Sequence, residues 1–150
     1  MKKLYSFLLT VALFVCVATS LKAQDEVILS AMSAIRSGDS KGLARHFSNL
    51  IELKIQSNTS KSNKDYSKTQ AEYILEEFFR ENPPQSFEYI HEGASREGNL
   101  RYAIGKYICR DKNNKATSFR VFMKIVQQPN GIFVIDAIDF SKDDPVETRN

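Results

Sequence analysis

The sequence predicts an α+β fold, with helices first and a mainly antiparallel sheet last. Up to the pair Pro83 and Pro84, apolar residues mostly recur every three or four positions, which is the spacing of a helix face. After these prolines, apolar and polar residues alternate in four runs separated by short turns, which is typical of strands. Helices followed by consecutive strands indicate the α+β class rather than the alternating α/β class.

The start of the chain has the layout of a secretory signal peptide. Lys2 and Lys3 form a basic beginning, residues 4–17 are an apolar run, and small or polar residues follow. We expect cleavage after Ala23 and export to the periplasm or the medium. Two alternatives remain open, an uncleaved membrane anchor and a lipid attached to Cys16.

Cleavage there divides the chain into a signal peptide (1–23), a single domain (24–141) and a polar tail (142–150). The 150 residues include 21 Lys and Arg against 18 Asp and Glu, a net charge of +3. Three of those cations are lysines of the signal peptide, so the processed chain carries equal numbers of bases and acids. A protein that binds nucleic acid needs an excess or a patch of basic residues, and we therefore expect no nucleic-acid partner.

The chain has no pattern for a metal or a cofactor. CxxC and HExxH motifs and a phosphate-binding Gly loop are missing, and a calcium-loop pattern that starts at Asp111 fails at Lys115 and Ala116. Cys109 is the only cysteine of the processed chain, so no intrachain disulfide can form. We expect no cofactor, no metal, and a fold stabilised by its core.

Two helices are predicted before the first strand. Residues 25–37 carry an apolar stripe, and Gly38 follows where a left-handed residue ends a helix. A short second helix is predicted to begin after Asp39 as its N-cap, with Leu43 and Phe47 one turn apart on a common face.

The third helix has the strongest local signal in the chain. Ser67 and Gln70 have the spacing of a capping box, and the helix is predicted to end at Asn82, before the prolines. Its apolar stripe predicts packing on the sheet, while Tyr73 falls on the opposite side. The stripe consists of Ala71, Ile74, Leu75 and Phe78, with Phe79 at its flank.

The remaining segments are assigned to strands, a turn and a loop. Residues 51–55 alternate as a half-buried strand, the polar stretch 57–65 is interpreted as an exposed loop, and residues 111–116 are predicted to form a hairpin turn. The four later strands form an antiparallel meander and are predicted over residues 87–91, 100–109, 118–125 and 132–140.

This order of elements is similar to the nuclear transport factor 2-like cone fold, in which a curved sheet wraps around the helices. Several stretches also resemble a family of small exported bacterial proteins known as domain of unknown function 4783. They are SGDSKGLARHF, YSKTQAEYILEEFFRENPPQSFEYIHEGAS, RYAIGKY, FRVFMKI and GIFVIDAIDF. The resemblance covers residues 28–140 and implies the fold and export, but no reaction.

Cone folds often hold a pocket at their open end, so polar residues in phase with apolar ones are the candidate site residues. On the last strand Asp136 alternates with Ile138 and Phe140, which predicts a carboxylate among apolar neighbours. Burial would raise its pKa and suit it to acid–base catalysis. The alternative is a structural Asp136 at a bulge or rim, paired with a cation such as Arg101 or Arg120.

Two histidines are further candidates for a pocket base. His46 is expected near the end of the second helix, and His91 is in phase with Phe87 and Tyr89 on a strand. For each histidine, a structural role is the alternative. The candidate ligand-binding residues are Tyr89, Tyr102, Phe78 and Asp136.

We expect an exported, non-catalytic domain that binds a small apolar ligand or an envelope protein. The first alternative is a small isomerase or dehydratase that uses Asp136 with a Tyr or His. The second is a homodimeric scaffold whose open sheet face is closed by self-association. An apolar pocket favours binding, whereas a buried carboxylate within hydrogen-bond reach of a Tyr or His favours an enzyme.

Overall fold

The computed structural model describes residues 25–57 and 60–143, so the predicted signal peptide and the last seven residues lie outside the described range. Within it, helices come first and most strands follow, and the α+β class is confirmed. The helices are α1 (25–37), α2 (Ser40–Ala44) and α3 (Lys68–Glu81), and the strands are β1 (Phe47–Ser57), β2 (Ser60–Ser67), β3 (Pro84–Ala94), β4 (Leu100–Arg110), β5 (Ala116–Gln127) and β6 (Phe133–Lys142).

The turn between α1 and α2 forms as predicted. Gly38 has a φ of +70°, the left-handed conformation that ends a helix at little cost for glycine. The Asp39 side chain accepts a hydrogen bond from the N–H of Gly42 and so begins α2.

The prediction that Phe47 belongs to the second helix is wrong. α2 ends at Ala44, and Phe47 is the first residue of β1. The carbonyl of His46 accepts a hydrogen bond from the N–H of Ile135 at 2.7 Å, which joins the chain to β6. An apolar residue at this spacing suits a helix face or a strand equally well, and the pairing with β6 decides between them.

Both ends of α3 agree with the prediction. Ser67 Oγ accepts from the Gln70 N–H while Gln70 Oε1 accepts from the Ser67 N–H, so the capping box is confirmed. At the other end the N–H of Asn82 donates to the carbonyl of Phe78, and Tyr73 is exposed on the far side of the helix. The buried residues of α3 are Ala71, Leu75, Phe78 and Phe79.

The sheet has the order β2-β1-β6-β5-β4-β3. β3 to β6 form the predicted antiparallel meander, β1 lies parallel to β6, and β2 pairs antiparallel with β1. The prediction that residues 57–65 form a loop is wrong at residue 57, which ends β1, and from residue 60 onward, where the backbone pairs with β1. Ladder hydrogen bonds use only backbone groups, so an edge strand needs no apolar residues.

The two faces of the sheet differ in what covers them. Residues of all three helices form one buried cluster with alternate residues of the strands. The side of the sheet that faces this cluster is named the core face. Successive side chains of a strand point to opposite faces. The remaining strand residues therefore lie on the other side, named the outer face, over which none of the described helices packs.

Aromatic rings fill the core between α3 and the sheet. The ring of Phe78 lies with its centroid 4.7 Å from that of Phe140 and 5.1 Å from that of Phe119. Phe79 and Tyr107 complete this ring cluster. Rings at these separations attract each other beyond the burial of their area, so the cluster stabilises the middle of the fold.

Candidate functional site

A bulge in β3 turns one candidate histidine to the outer face. Tyr89 pairs with Gly105 and His91 pairs with Ile104, so Ile90 is an extra residue on β3. One extra residue moves every following side chain to the opposite face. The prediction that His91 is in phase with Tyr89 is therefore wrong.

A second bulge, in β6, places the candidate carboxylate of Asp136 on the outer face. Lys124 pairs with Ala137 while its neighbour Ile125 pairs with Ile135, which leaves Asp136 as the extra residue. Asp136 therefore lies on the outer face with Lys124. It does not share the core face with the residues two and four positions further on, and that prediction is wrong.

The carboxylate of Asp136 forms an ion pair on the outer face. Its Oδ2 accepts a hydrogen bond from Lys124 Nζ at 2.8 Å, and the side chains are 38% and 39% exposed. Lys124, rather than the expected Arg101 or Arg120, is thus the cation beside it. A carboxylate so placed is a solvated surface group rather than one enclosed among apolar residues.

The centre of the outer face is apolar. Phe122 pairs with Ile104 across β4 and β5, and it is 36% exposed. On its other side Phe122 pairs with Asp139, whose Oδ2 accepts from Lys54 Nζ at 3.0 Å. The register places further apolar residues on the same face, namely Leu100, Tyr102, Val126, Val134 and Ala137.

Two of the candidate residues meet beside this apolar centre. The Tyr102 hydroxyl lies 3.4 Å from His91 Nε2, and the two ring centroids are 5.8 Å apart. The Tyr102 ring crosses Gly93, where an added Cβ would overlap it. The fold thus brings Tyr102 and His91 together, but on the outer face rather than inside the cone.

Phe122 and Lys124 are site residues that the sequence reasoning missed. In β5, Phe122 alternates with Arg120 and Lys124, so it points to the same side as these two charged residues. When one face of a sheet is exposed to solvent, the positions on that side are normally polar. A large aromatic residue in the polar phase of a central strand is the signal that could have found this face.

The candidates on the core face are held by packing. The Tyr89 hydroxyl donates to the Ile28 carbonyl of α1 at 2.9 Å, and burial raises the pKa of this phenol well above its ordinary value. Phe78 is 5% exposed at the centre of the ring cluster. The hydroxyl of Tyr89 is therefore hydrogen-bonded within the fold, and the ring of Phe78 packs against other rings of the core.

His46 joins three elements. Its Nε2 lies 2.8 Å from Ser30 Oγ on α1, and its backbone bonds to Ile135 of β6 just before β1 begins. Burial lowers the pKa of this imidazole below its ordinary value of 6.5. The neutral ring is therefore the form that the fold favours.

A charged cluster fastens α1 to the edge of the sheet. The Arg101 guanidinium bonds to Asp25 at the start of the described helix and lies 3.6 Å from a Glu92 carboxylate oxygen. The β3 bulge puts Glu92 on this side, opposite Ala103. Arg101 Nε is buried without a hydrogen-bond partner among the described residues. This arginine holds α1 and does not reach Asp136.

Clustered metal ligands and the one thiol were two possible sources of chemistry in residues 25–57 and 60–143. No three His, Cys, Asp or Glu side chains there lie close enough together to hold a metal ion. Burial raises the pKa of the Cys109 thiol to about 11, so it is protonated at neutral pH and a poor nucleophile. Over the same ranges, no helix is both long and apolar enough to cross a bilayer.

Residues 28–141 match the family described as domain of unknown function DUF4783. The structure of a DUF4783 family protein from Bacteroides uniformis ATCC 8492 is 23% identical in sequence, with a TM-score of 0.66. The alignment covers 77% of this chain and 96% of that one. No curated protein matches the chain.

Similar folds occur outside that family. A ketosteroid isomerase-like protein from Erwinia carotovora atroseptica SCRI1043 has a TM-score of 0.63 at 8% identity, over 81% of this chain and 94% of that one. An NTF-2-like protein of unknown function from Silicibacter pomeroyi DSS-3 has a TM-score of 0.57 at 13% identity, over 85% and 98%. Such low identities show the fold alone, and the cone fold is confirmed. Because the family match spans most of its length, this chain belongs to the DUF4783 family, with an NTF2-like fold.

Proposed function

We propose that this protein is an exported, non-catalytic binding module that works as a homodimer, closed through the outer face of its sheet. The observation that carries the proposal is the apolar centre of that face, where Phe122 is 36% exposed beside Ile104. A sheet face that stays in water normally carries polar residues in this phase. A contiguous apolar patch with a polar surround is typical of a surface that another protein covers.

The size of the outer face suits a second copy of the chain. With strands about 4.8 Å apart and about 3.3 Å per residue, the six strands present roughly 900 Å². A stable protein interface buries about 800 Å² on each partner. One face against its own copy therefore supplies the area that a dimer needs.

The charges of this face also suit self-association. Lys54 and Lys124 pair with Asp139 and Asp136, so charges of both signs lie around the apolar centre. In a twofold dimer the same surface meets itself, and a face of one sign would repel its copy. A face with both signs can oppose cations to anions across the twofold axis.

The other two functions have less support from the contacts. A small apolar ligand would need space beside Phe78, where four further rings pack. A pocket enzyme would need its acid–base groups inside the cone, but Asp136 and His91 are on the outer face. An envelope protein of similar surface chemistry is the remaining rival to a second copy.

Sedimentation of the processed protein, expressed as the full chain, tests the dimer. At roughly 10 µM we expect a dimer for the wild type and a monomer for Phe122→Glu, because a carboxylate at the centre of the interface would be buried unpaired. The matched control is Tyr73→Glu, which places the same change on the exposed side of α3. This control should remain dimeric.

Two outcomes would overturn the homodimer. One is a wild-type monomer across the micromolar range, in which case a different envelope protein is the occupant. The other is a Phe122→Glu protein that still dimerises, which would place the contact elsewhere. Thermal unfolding of both variants checks that neither change acts by unfolding the protein.

Export has its own test, independent of the dimer. The basic start, apolar run and Ala23 of the sequence support it. The mass of protein recovered from the cell envelope should correspond to a chain that begins at Gln24. Recovery of the unprocessed chain from the cytoplasm alone would contradict export.

A further inference from the structure

A cleft opens on the molecule between the end of α3 and the β4–β5 hairpin. It has a volume of about 620 Å³, within the range of about 300–1,000 Å³ that small-molecule sites occupy. One wall comes from Arg80, Glu81 and the stretch Pro83–Gln85, and the other from Arg110, Asp111, Lys112 and Asn114. Arg110, at the end of β4, lies on the outer face, but neither Phe122 nor Ile104 lines the cleft, which is therefore separate from the apolar centre of the proposed dimer surface.

The helix wall of the cleft is held in place. Both the N–H and the side-chain Nδ2 of Asn82 donate to the carbonyl of Phe78. The buried Tyr107 hydroxyl donates to the Asn82 carbonyl, which ties the end of α3 to β4. Pro83 and Pro84 follow directly, and their rings restrict the backbone further.

The hairpin wall is organised by its own hydrogen bonds. Asp111 Oδ1 accepts from the N–H groups of Asn113 and Lys115, each at 2.9 Å, and Asn114 adopts a φ of +61°. Arg110 Nη1 donates to the Asn114 carbonyl at 3.0 Å, which orients the guanidinium beside the cleft. A site whose walls are ordered beforehand loses less entropy when a ligand binds.

Two cations of the hairpin wall, Arg110 and Lys112, are placed to meet an anion. They line the cleft together with Glu81 and Asp111. The guanidinium of Arg80, which also lines the cleft, is paired with the carboxylate of Glu77. Hydrogen bonds from the Lys115 and Asn113 backbone lower the pKa of Asp111, so this carboxylate stays ionised, with its Oδ1 directed to the hairpin N–H groups. Arg110 uses one donor on the hairpin and keeps others for a second acceptor.

We propose that this cleft binds a small organic anion, with its carboxylate on Arg110 and Lys112 and its apolar body against Pro83 and Pro84. A guanidinium pairs with a carboxylate through two parallel hydrogen bonds, which recognises both charge and shape. The proline rings offer an apolar surface to the rest of such a ligand. The proposal stands or falls independently of the homodimer.

An NMR titration of the processed protein with benzoate tests the site, and benzamide serves as the neutral ligand of the same shape. We expect saturable shifts in the amides of residues 110–116 with benzoate and none with benzamide. Arg110→Gln should weaken benzoate binding about tenfold, because it removes the charge-assisted pair. Lys112→Gln, which leaves the hairpin hydrogen bonds intact, should weaken it in the same direction.

The control is Lys106→Gln, which removes a cation from the outer face of the same strand. It should change the affinity by less than about twofold. Equal binding of benzoate and benzamide, unchanged binding by both cleft variants, or shifts centred on another surface would each overturn the proposal. Unfolding curves of the variants show whether the hairpin change disturbs the fold.

Discussion

Gly105 is the position in β4 where the core leaves no room for a side chain. An added Cβ would overlap the buried ring of Phe87 and lie 2.9 Å from the carbonyl oxygen of Glu88. Gly93 on β3 is crowded as well, but by the Tyr102 ring on the outer face. The two sites differ in how freely the neighbouring ring can move. Tyr102 beside Gly93 is only partly buried, whereas Phe87 beside Gly105 is fully buried.

We predict that Gly105→Ala lowers the free energy of unfolding by about 1–3 kcal/mol, the usual cost of overpacking a core. Gly93→Ala should cost clearly less, because the Tyr102 ring can turn into solvent. Urea unfolding of the two variants provides the comparison. A Gly105→Ala protein as stable as the wild type would show that Phe87 can shift, contrary to the packing described.

At the scale of elements, single extra residues in β3 and β6 decide which side chains share a face. Ile90 sends His91 outward and Glu92 to the core side, where Glu92 joins the ion pair that holds α1. The extra residue Asp136 stays outside with Lys124. Bulges of this kind re-aim side chains, and here they place His91 and Asp136 on the outer face and Glu92 on the core side.

The capping box predicted from the sequence stabilises the start of α3. We predict that Ser67→Ala lowers the free energy of unfolding by about 1 kcal/mol, because the N–H of Gln70 loses its acceptor at the start of the helix. Thr69→Ala, an exposed change in the same turn, is the control. Chemical unfolding measures both.

The reciprocal capping box also predicts how substitutions of Ser67 and Gln70 combine. Since Ser67 and Gln70 bond to each other's backbone, the effects of Ser67→Ala and Gln70→Ala should not add in the double variant. Additive effects, or a Ser67→Ala protein no less stable than the Thr69→Ala control, would contradict the capping role.

At the scale of the whole molecule, His46 connects the first helix to the sheet. Its lowered pKa means that the unfolded chain takes up a proton more readily than the folded one. The stability that neutral His46 provides is therefore present above about pH 6.5 and is lost as the pH falls below that value, towards the lowered pKa.

We predict that His46→Gln flattens the acid side of the stability profile. Between about pH 7.5 and pH 5 the wild type should lose more stability than the variant, as measured by unfolding at each pH. Between about pH 7.5 and pH 9 the two proteins should follow parallel curves, because the imidazole is already neutral. Equal acid losses in both proteins would show that His46 does not carry this dependence.

Most single elements could be predicted because their signals are local. The stripe and cap of α3, the glycine after α1 and the alternation of the meander strands all depend on neighbours within a few residues. β2 could not be predicted in this way, because its polar residues form a strand only through the backbone of β1. Phe47 likewise leaves the helix pattern because Ile135, far along the chain, pairs beside it.

The candidate site was less predictable than the elements. Of the candidates for a pocket inside the cone, Phe78 and Tyr89 lie on the core side. Tyr102, Asp136 and His91 lie on the outer face instead. An alternating pattern defines two sides of a strand only as long as no residue is inserted into the ladder, and a bulge leaves no mark in the alternation itself.

Local patterns in the sequence were enough to predict the class of the fold and most of its helices and strands, and they also predict a leader for export. Contacts between distant segments set which face each polar candidate occupies, add residues 60–67 to the sheet as a strand, and form a cleft between the end of α3 and the β4–β5 hairpin. The physical reason is that caps and periodicity act between neighbours in the chain, whereas register and clefts arise between segments that meet only after folding.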